Sequence, residues 1–171
     1  MSAGFCSACG GAHVDPEFPK RCPSCGETAW GSPTSVVVVL QTVRLGFGKR
    51  GLVMAQRNIQ PMRGGWAFMG GHVNRGESLE QGACREWFEE TGRRIGPGDL
   101  DYYHSYPVAD GSQTLAVFRN RWTLTKGQYE SFKLCPENQG FGVLTDPEQI
   151  DTLCFPTHRE VARRCYNEGW F

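Results

Sequence analysis

Residues 71–92 read GHVNRGESLEQGACREWFEETG, and the reading of this stretch decides the fold. Residues 78–91 have helical character, and Gly92 is a suitable C-terminal stop. At about 100° per residue, Glu86, Glu89 and Glu90 share one narrow sector of that helix. Cys84, Trp87, Phe88 and Thr91 fall on the opposite, core-facing side. Carboxylates four residues apart weaken an isolated helix, so the acidic sector needs a counter-charge. A divalent cation supplies one, because magnesium prefers carboxylate oxygens together with substrate phosphates. Arg85 borders the sector four residues before Glu89, where it can hold a carboxylate in place. Gly82 leaves space above the acids, and Glu77 offers a further carboxylate from the preceding loop. A solvated acidic face over an aromatic underside is the bland alternative. The glycine loop ahead of the helix and the full spacing favour chemistry instead.

Upstream, residues 36–40 form a β-branched aliphatic run that reads as a central strand. Residues 46–51 read as a turn and 52–57 as the returning strand. Residues 64–71 are too rich in glycine for regular helix. Downstream, strands are expected near 101–108, 115–124 and 141–144, and a last helix over about 157–167 with Pro156 at its start. Strands and helices mix without strict alternation, so an α+β class with a mixed sheet is expected.

The 171 residues provide one well-packed domain plus a small appendage. Hydrophobic residues make up 39% and charged residues 21%, which excludes wholesale disorder. Basic and acidic residues number 18 each, so no global charge draws the chain to nucleic acid or to an anionic membrane. No apolar run approaches the ~20 residues of a membrane span, and residues 1–10 lack a signal-peptide pattern. A cytoplasmic location is the resulting expectation.

Four of the eight cysteines form two CxxC pairs, Cys6 with Cys9 and Cys22 with Cys25, separated by twelve residues. Such knuckles are expected to hold tetrahedral zinc. Gly10 and Gly26 follow them, where tight turns let amides face thiolates. Four thiolates leave no open position for water, so the zinc would be structural and would allow so small a segment to fold. His13 is superfluous as a ligand. Residues 1–32 thus read as a zinc ribbon and 33–171 as the main domain. Lys20 and Arg21 alone make a weak basic patch, so nucleic acid is a disfavoured partner.

Gly71, Glu77, Arg85, Glu86, Trp87, Glu89, Glu90 and Gly92 fall in register with a Gly-x5-Glu-x7-Arg-Glu-U-x-Glu-Glu-x-Gly-U pattern, U being bulky and apolar. In this the chain resembles the Nudix hydrolases. Arg93 departs from the pattern's last apolar position, and Met69 and Asn74 depart from its common lead-in. The resemblance implies the Nudix fold, a mixed sheet between helices. It also implies a site in which Glu86, Glu89, Glu90 and the Gly70 carbonyl bind Mg2+ or Mn2+, supported by Glu77 and Arg85, with Glu86 the first choice for activating water. A further carboxylate from a late loop is part of this likeness; Glu137 is the candidate, with Asp110 and Glu148 behind it. Arg57 is a candidate contact to substrate phosphate, and aromatics such as Trp66, Phe68, Tyr106 and Phe118 are candidates to stack on a base.

A zinc ribbon ahead of such a domain resembles the organisation of NADH pyrophosphatases, although residues 104–110, HSYPVAD, lack that group's downstream array. Pro107 falls near a proline position of ADP-ribose pyrophosphatases. The implied reaction is hydrolysis of a diphosphate bond in a nucleoside diphosphate linked to another group, a small-molecule substrate. Clearance of nucleoside triphosphates, removal of an RNA cap, and nucleotide sensing without cleavage are the alternatives; the intact acidic cluster speaks against the last. Homodimers are common in the resembling family, and a homodimer is left open here.

Overall fold

A computed structural model describes residues 4–15 and 17–171, so residues 1–3 and 16 of the stretch read as a ribbon lie outside the described ones. Internal contacts divide the chain into two units, with the boundary between Pro33 and Thr34. The first unit holds a short antiparallel pair, β1 (Lys20–Arg21) with β2 (Thr28–Ala29), and a bridge between Phe5 and Ala12.

The second unit opens with β3 (Thr34–Leu40), β4 (Thr42–Gly46), β5 (Lys49–Arg57), β6 (Trp66–Ala67) and β7 (Met69–His72). The helix α1 (Leu79–Thr91) follows, then β8 (Leu100–Pro107), β9 (Gln113–Asn120), β10 (Leu124–Thr125) and α2 (Lys126–Glu130). The chain ends with β11 (Asn138–Leu144) and α3 (Pro156–Asn167). One sheet has the order β7-β3-β9-β8, and the other has β10-β4-β5-β11 with β6 added beside β5. Both are mixed: β3 runs parallel to β9 and antiparallel to β7, while β10 pairs parallel with β4. This is the expected α+β class.

The aliphatic run in β3 is buried on both faces, the usual reason for a continuous rather than alternating apolar strand. Val38 and Leu40 join a core with Leu115, Val117 and the α3 residues Val161, Ala162 and Cys165. Val37 and Val39 join another with Ala116, Phe118 and the α1 residues Ala83 and Trp87. The first sheet therefore lies between α1 and α3, and β3 is its shared wall.

Several local expectations need correction. The turn expected over 46–51 shrinks to Phe47-Gly48, both at positive φ, because β5 begins at Lys49. That twist matches a two-residue hairpin. The strand expected over 115–124 breaks after Asn120, whose amide donates to Gln41 Oε1 while its own oxygen accepts from Trp122 N–H. The chain then turns into the separate strand β10. Phe88, expected on the apolar side of α1, is exposed and carries the Arg94 guanidinium 4.4 Å from its ring centre. Cys84 is half-buried at the edge of the core. No helix among the described residues is long and apolar enough to cross a membrane.

The underside of α1 hangs on Trp87, which is 1% exposed and packs edge-on against Phe132. Replacing it with alanine is expected to cost about 3–5 kcal/mol in urea unfolding, the scale of a large aromatic lost from a core. A cost below about 1 kcal/mol would show that the helix is not held through this residue.

Candidate active site

The glycine loop reaches the acidic helix by a close approach that only glycines permit. Gly70 has φ +151°, and a Cβ there would overlap the Val37 carbonyl oxygen of the neighbouring strand. A Cβ on Gly71 would sit 2.6 Å from the Glu86 carboxyl. The Gly70 N–H instead donates to Glu90 Oε2 at 3.0 Å, tying loop to helix. At the start of α1, the Ser78 side chain accepts from Gln81 N–H and the Gln81 side chain accepts from Ser78 N–H, a reciprocal cap. Gly92 ends the helix at φ +72°.

Arg85 is the hub of the charged groups. Its Nε and Nη2 donate to the two Glu77 oxygens at 2.7 and 3.0 Å. Its Nη1 donates to Glu86 at 2.7 Å and to Glu89 at 3.1 Å, and Nη2 also reaches the His72 carbonyl at 2.8 Å. The guanidinium, with an amide bond from Asn74 N–H, holds the Glu77 carboxyl down to about 2. Burial pushes Glu86 upward against the pull of Arg85, with the charges of Glu89 and Glu137 adding to the rise. Burial also pushes Glu90 up to about 8, helped by the Glu86 and Glu137 charges and opposed by the Gly70 amide.

The structure thus brings Glu86, Glu89, Glu90, Glu77, Arg85 and Glu137 to one region. Glu137 is carried by the segment just before β11, whose Asn138 donates to the Glu90 carbonyl at 2.9 Å, while Asn58 N–H donates to the Glu137 carbonyl at 2.8 Å. Asp110 and Glu148 are not brought there. Asp110 caps its own turn by accepting from Ser112, and Glu148 lies in the 3-10 turn Pro147–Thr152. Raised carboxyls that repel one another suit a divalent cation, whose charge would draw their protons off. The acids are less tightly gathered than the cysteines: among the described residues, the four cysteines alone form a group of three or more whose ligand atoms all lie within 4.8 Å of one another.

A cavity of about 560 Å3 opens beside the acids, with Gly70, Gly71, Glu137 and Arg57 in its wall. Arg57 donates from Nε to the Pro61 carbonyl at 2.8 Å and lies 5.1 Å from the Phe155 ring centre. Phe68 lines the same cavity, whereas Tyr106 and Phe118 are spent in the cores. His158 is the residue whose place the sequence concealed. A histidine in the first turn of a helix reads as a solvated or capping group, but this one is buried and lines the cavity. Its Nδ1 accepts from Phe68 N–H at 3.1 Å, and burial with the nearby Arg57 charge lowers it to about 3.

In the first unit, Cys6 Sγ lies 3.7 Å from Cys25 Sγ and Cys9 Sγ 3.6 Å from Cys22 Sγ. A zinc tetrahedron with Zn–S bonds of about 2.3 Å has sulfur–sulfur edges near 3.8 Å, so the four thiols fit that ion. Gly10 and Gly26, at φ +72° and +77°, close the two knuckles by donating to the Cys6 and Cys22 carbonyls. Amides of Cys25 and Ser24 pull the Cys22 thiol down to about 6, while the neighbouring sulfurs push Cys25 up to about 12, the split of thiols that share protons at one site.

One unit thus carries a mixed sheet, a glycine loop that approaches an acidic helix, and an adjoining cavity. The NUDIX domain model matches residues 33–166, and the chain belongs to the Nudix hydrolase family. It is 31% identical over 165 residues to an octanoyltransferase of Myxococcus xanthus, covering 96% of this chain and 42% of that protein. It is 30% identical over 135 residues to the NAD-capped RNA hydrolase NudC of Photobacterium profundum, covering 78% of this chain and 45% of that one. The chain therefore spans less than half the length of these curated relatives. Among solved structures, a NUDIX hydrolase from Nitrosomonas europaea superposes with a TM-score of 0.63 at 24% identity, covering 97% of this chain and 92% of that one.

Two measurements bear on these groups. Elemental analysis of the isolated protein is expected to find about one zinc per chain, and its absence would remove the metal from the knuckles. For His158, the folded state holds the ring neutral down to about 3, whereas an unfolded histidine takes up its proton near 6.5. Below that pH the unfolded chain binds a proton that the folded chain does not, so stability falls as pH drops from about 6.5 toward 3. Chemical denaturation between pH 7.5 and 5 should therefore lose less stability in His158→Gln than in the parent; equal losses would contradict the assignment.

Proposed function

We propose that this chain hydrolyses the diphosphate bond of a nucleoside diphosphate linked to another group, such as ADP-ribose or an NADH-like dinucleotide. The observation that carries this reading is the gathering of Glu86, Glu90 and Glu137 beside a cavity of about 560 Å3 that also presents Arg57. The volume falls within the range of small-molecule sites, and the cavity wall presents both the Glu137 carboxylate and the Arg57 guanidinium. The name of the NudC relative, an NAD-capped RNA hydrolase, also refers to a group containing a diphosphate.

In this reading Glu86, Glu89, Glu90 and the Gly70 carbonyl hold magnesium or manganese, with Glu137 as the late-loop carboxylate. Held by these groups, such a cation would supply charge neutralisation at phosphate oxygens and a more acidic water. Everything else falls to the chain. Glu86, raised by burial and aimed by the Arg85 hydrogen bond, accepts the proton of the attacking water. Glu77 keeps Arg85 from swinging away. Arg57, fixed by Pro61 and Phe155, meets a non-reacting phosphate oxygen. Water oxygen bonds to one phosphorus as its bond to the bridging oxygen breaks, giving a nucleoside monophosphate and a second phosphorylated fragment.

The test is a panel of ADP-ribose, NADH, nucleoside triphosphates and NAD-capped RNA, each incubated with magnesium and analysed for products. Nucleoside monophosphate release from the first two is expected, and Glu86→Gln should slow it by about a hundredfold or more, the scale on which transition-state charge stabilisation acts. If only triphosphates were cleaved, the substrate class would be wrong. If the variant matched the parent, the site would be wrong.

A further inference from the structure

His158 has an unused hydrogen-bonding atom. Its Nδ1 accepts from Phe68 N–H at 3.1 Å and so carries no proton, which places the single proton of the neutral ring on Nε2. That N–H has no hydrogen-bond partner among the described residues, yet it is not sealed into the core. The buried polar side-chain atoms without partners are His13 Nδ1 and Trp87 Nε1. His158 lines the cavity and its Nδ1 is already engaged by the Phe68 amide, so Nε2 is the ring atom left for a ligand there. The ring cannot turn away, since it stacks on Phe68 at 5.5 Å and 23° and meets Phe155 edge-on at 5.2 Å.

The surroundings select the ligand atom. Val36, Val38 and Leu115 present one face of the first sheet to the same cavity, an apolar wall suited to a flat ring. Phosphate is served by the Arg57 cation. A neutral donor of fixed direction suits a neutral acceptor, and on an adenine ring, which has no carbonyl, that acceptor is an unprotonated ring nitrogen. Resting on the diphosphatase reading above, we infer that His158 is a specificity-determining residue that donates its Nε2–H to a ring nitrogen of the substrate's heteroaromatic base. Unlike the acidic cluster, it takes no part in breaking the bond. It sets which base is held, because a base lacking that nitrogen leaves a desolvated N–H without a partner.

Calorimetric binding without added magnesium tests this independently of turnover, using ADP-ribose and its 1-deaza, 3-deaza and 7-deaza adenine congeners. One congener should bind the parent protein about tenfold more weakly than ADP-ribose, as expected for one lost hydrogen bond with a donor left unpaired. In His158→Phe and His158→Asn that difference should vanish, with ADP-ribose itself weakened to the level of that congener. A purely packing role would weaken all four ligands alike and leave the tenfold ratio in place. The inference is overturned if the parent binds all congeners equally, if the ratio survives in both variants, or if ADP-ribose does not bind. The hydrolysis panel is scored separately, so cleavage of ADP-ribose with no deaza discrimination would remove the role of His158 and leave the diphosphatase reading standing.

Discussion

One guanidinium holds the acidic site in shape. Arg85 donates to Glu77, Glu86, Glu89 and the His72 carbonyl, four acceptors drawn from the loop and from its own helix. Carboxylates on one helical face would otherwise repel and splay. The lateral charge of Arg85 fixes the directions of two of them, Glu86 and Glu89, while Glu90 is tied separately to the Gly70 amide. The loop cannot be rebuilt with larger residues, because Gly70 and Gly71 occupy space that a Cβ would need to share with Val37 and Glu86. Loop, helix and strand are therefore mutually required, and the precision of the acids follows from packing rather than from helix propensity.

That packing passes through β3. Its alternate residues feed opposite cores, so the strand that pairs with the glycine loop on one edge also braces α1 on one face and α3 on the other. The two walls of the cavity inherit their relation from this single element. Arg57 and Glu137 come from the other sheet, where β5 and β11 pair through Arg57 and Asn138. The cation and the late carboxylate thus arrive together on neighbouring strands.

The parts legible in the sequence are those whose causes are local. The stop at Gly92 and the sector of glutamates lie within one short stretch, and α1 covers Leu79–Thr91 where the sequence indicates 78–91. The β-branched run of β3 and the two cysteine knuckles are equally self-contained. What the sequence did not disclose depends on distant partners. The break after Asn120 reflects its bond to Gln41, 79 positions away. Glu137 is ranked ahead of Asp110 and Glu148 by its place just before a strand, and the bonds of Asn58 and Asn138 hold its segment beside the acids. His158 sits beside Pro156, Thr157 and Arg159, a context that spells an exposed helix start, and its burial arises from Phe68, 90 positions earlier. Phe88 shows the opposite error: a wheel position near the edge of the apolar sector stays in solvent, under Arg94.

The chain sets up two cation environments of opposite design. The knuckles use four sulfurs at tetrahedral spacing, which satisfies zinc completely and leaves nothing for a substrate. The acidic cluster is wider, partly neutralised by Arg85, and open on the side of the cavity. On the proposed reading, oxygen ligands so arranged would leave coordination positions for phosphate and water. Within the cavity the same division continues. Arg57, permanently charged, is suited to the anionic part of a ligand, and His158, held neutral by burial and by that same Arg57, is suited to an uncharged part. Because the arginine charge helps keep the imidazole neutral, the two readers are not independent. Moving Arg57 would remove a positive charge that helps burial keep a second proton off the His158 ring.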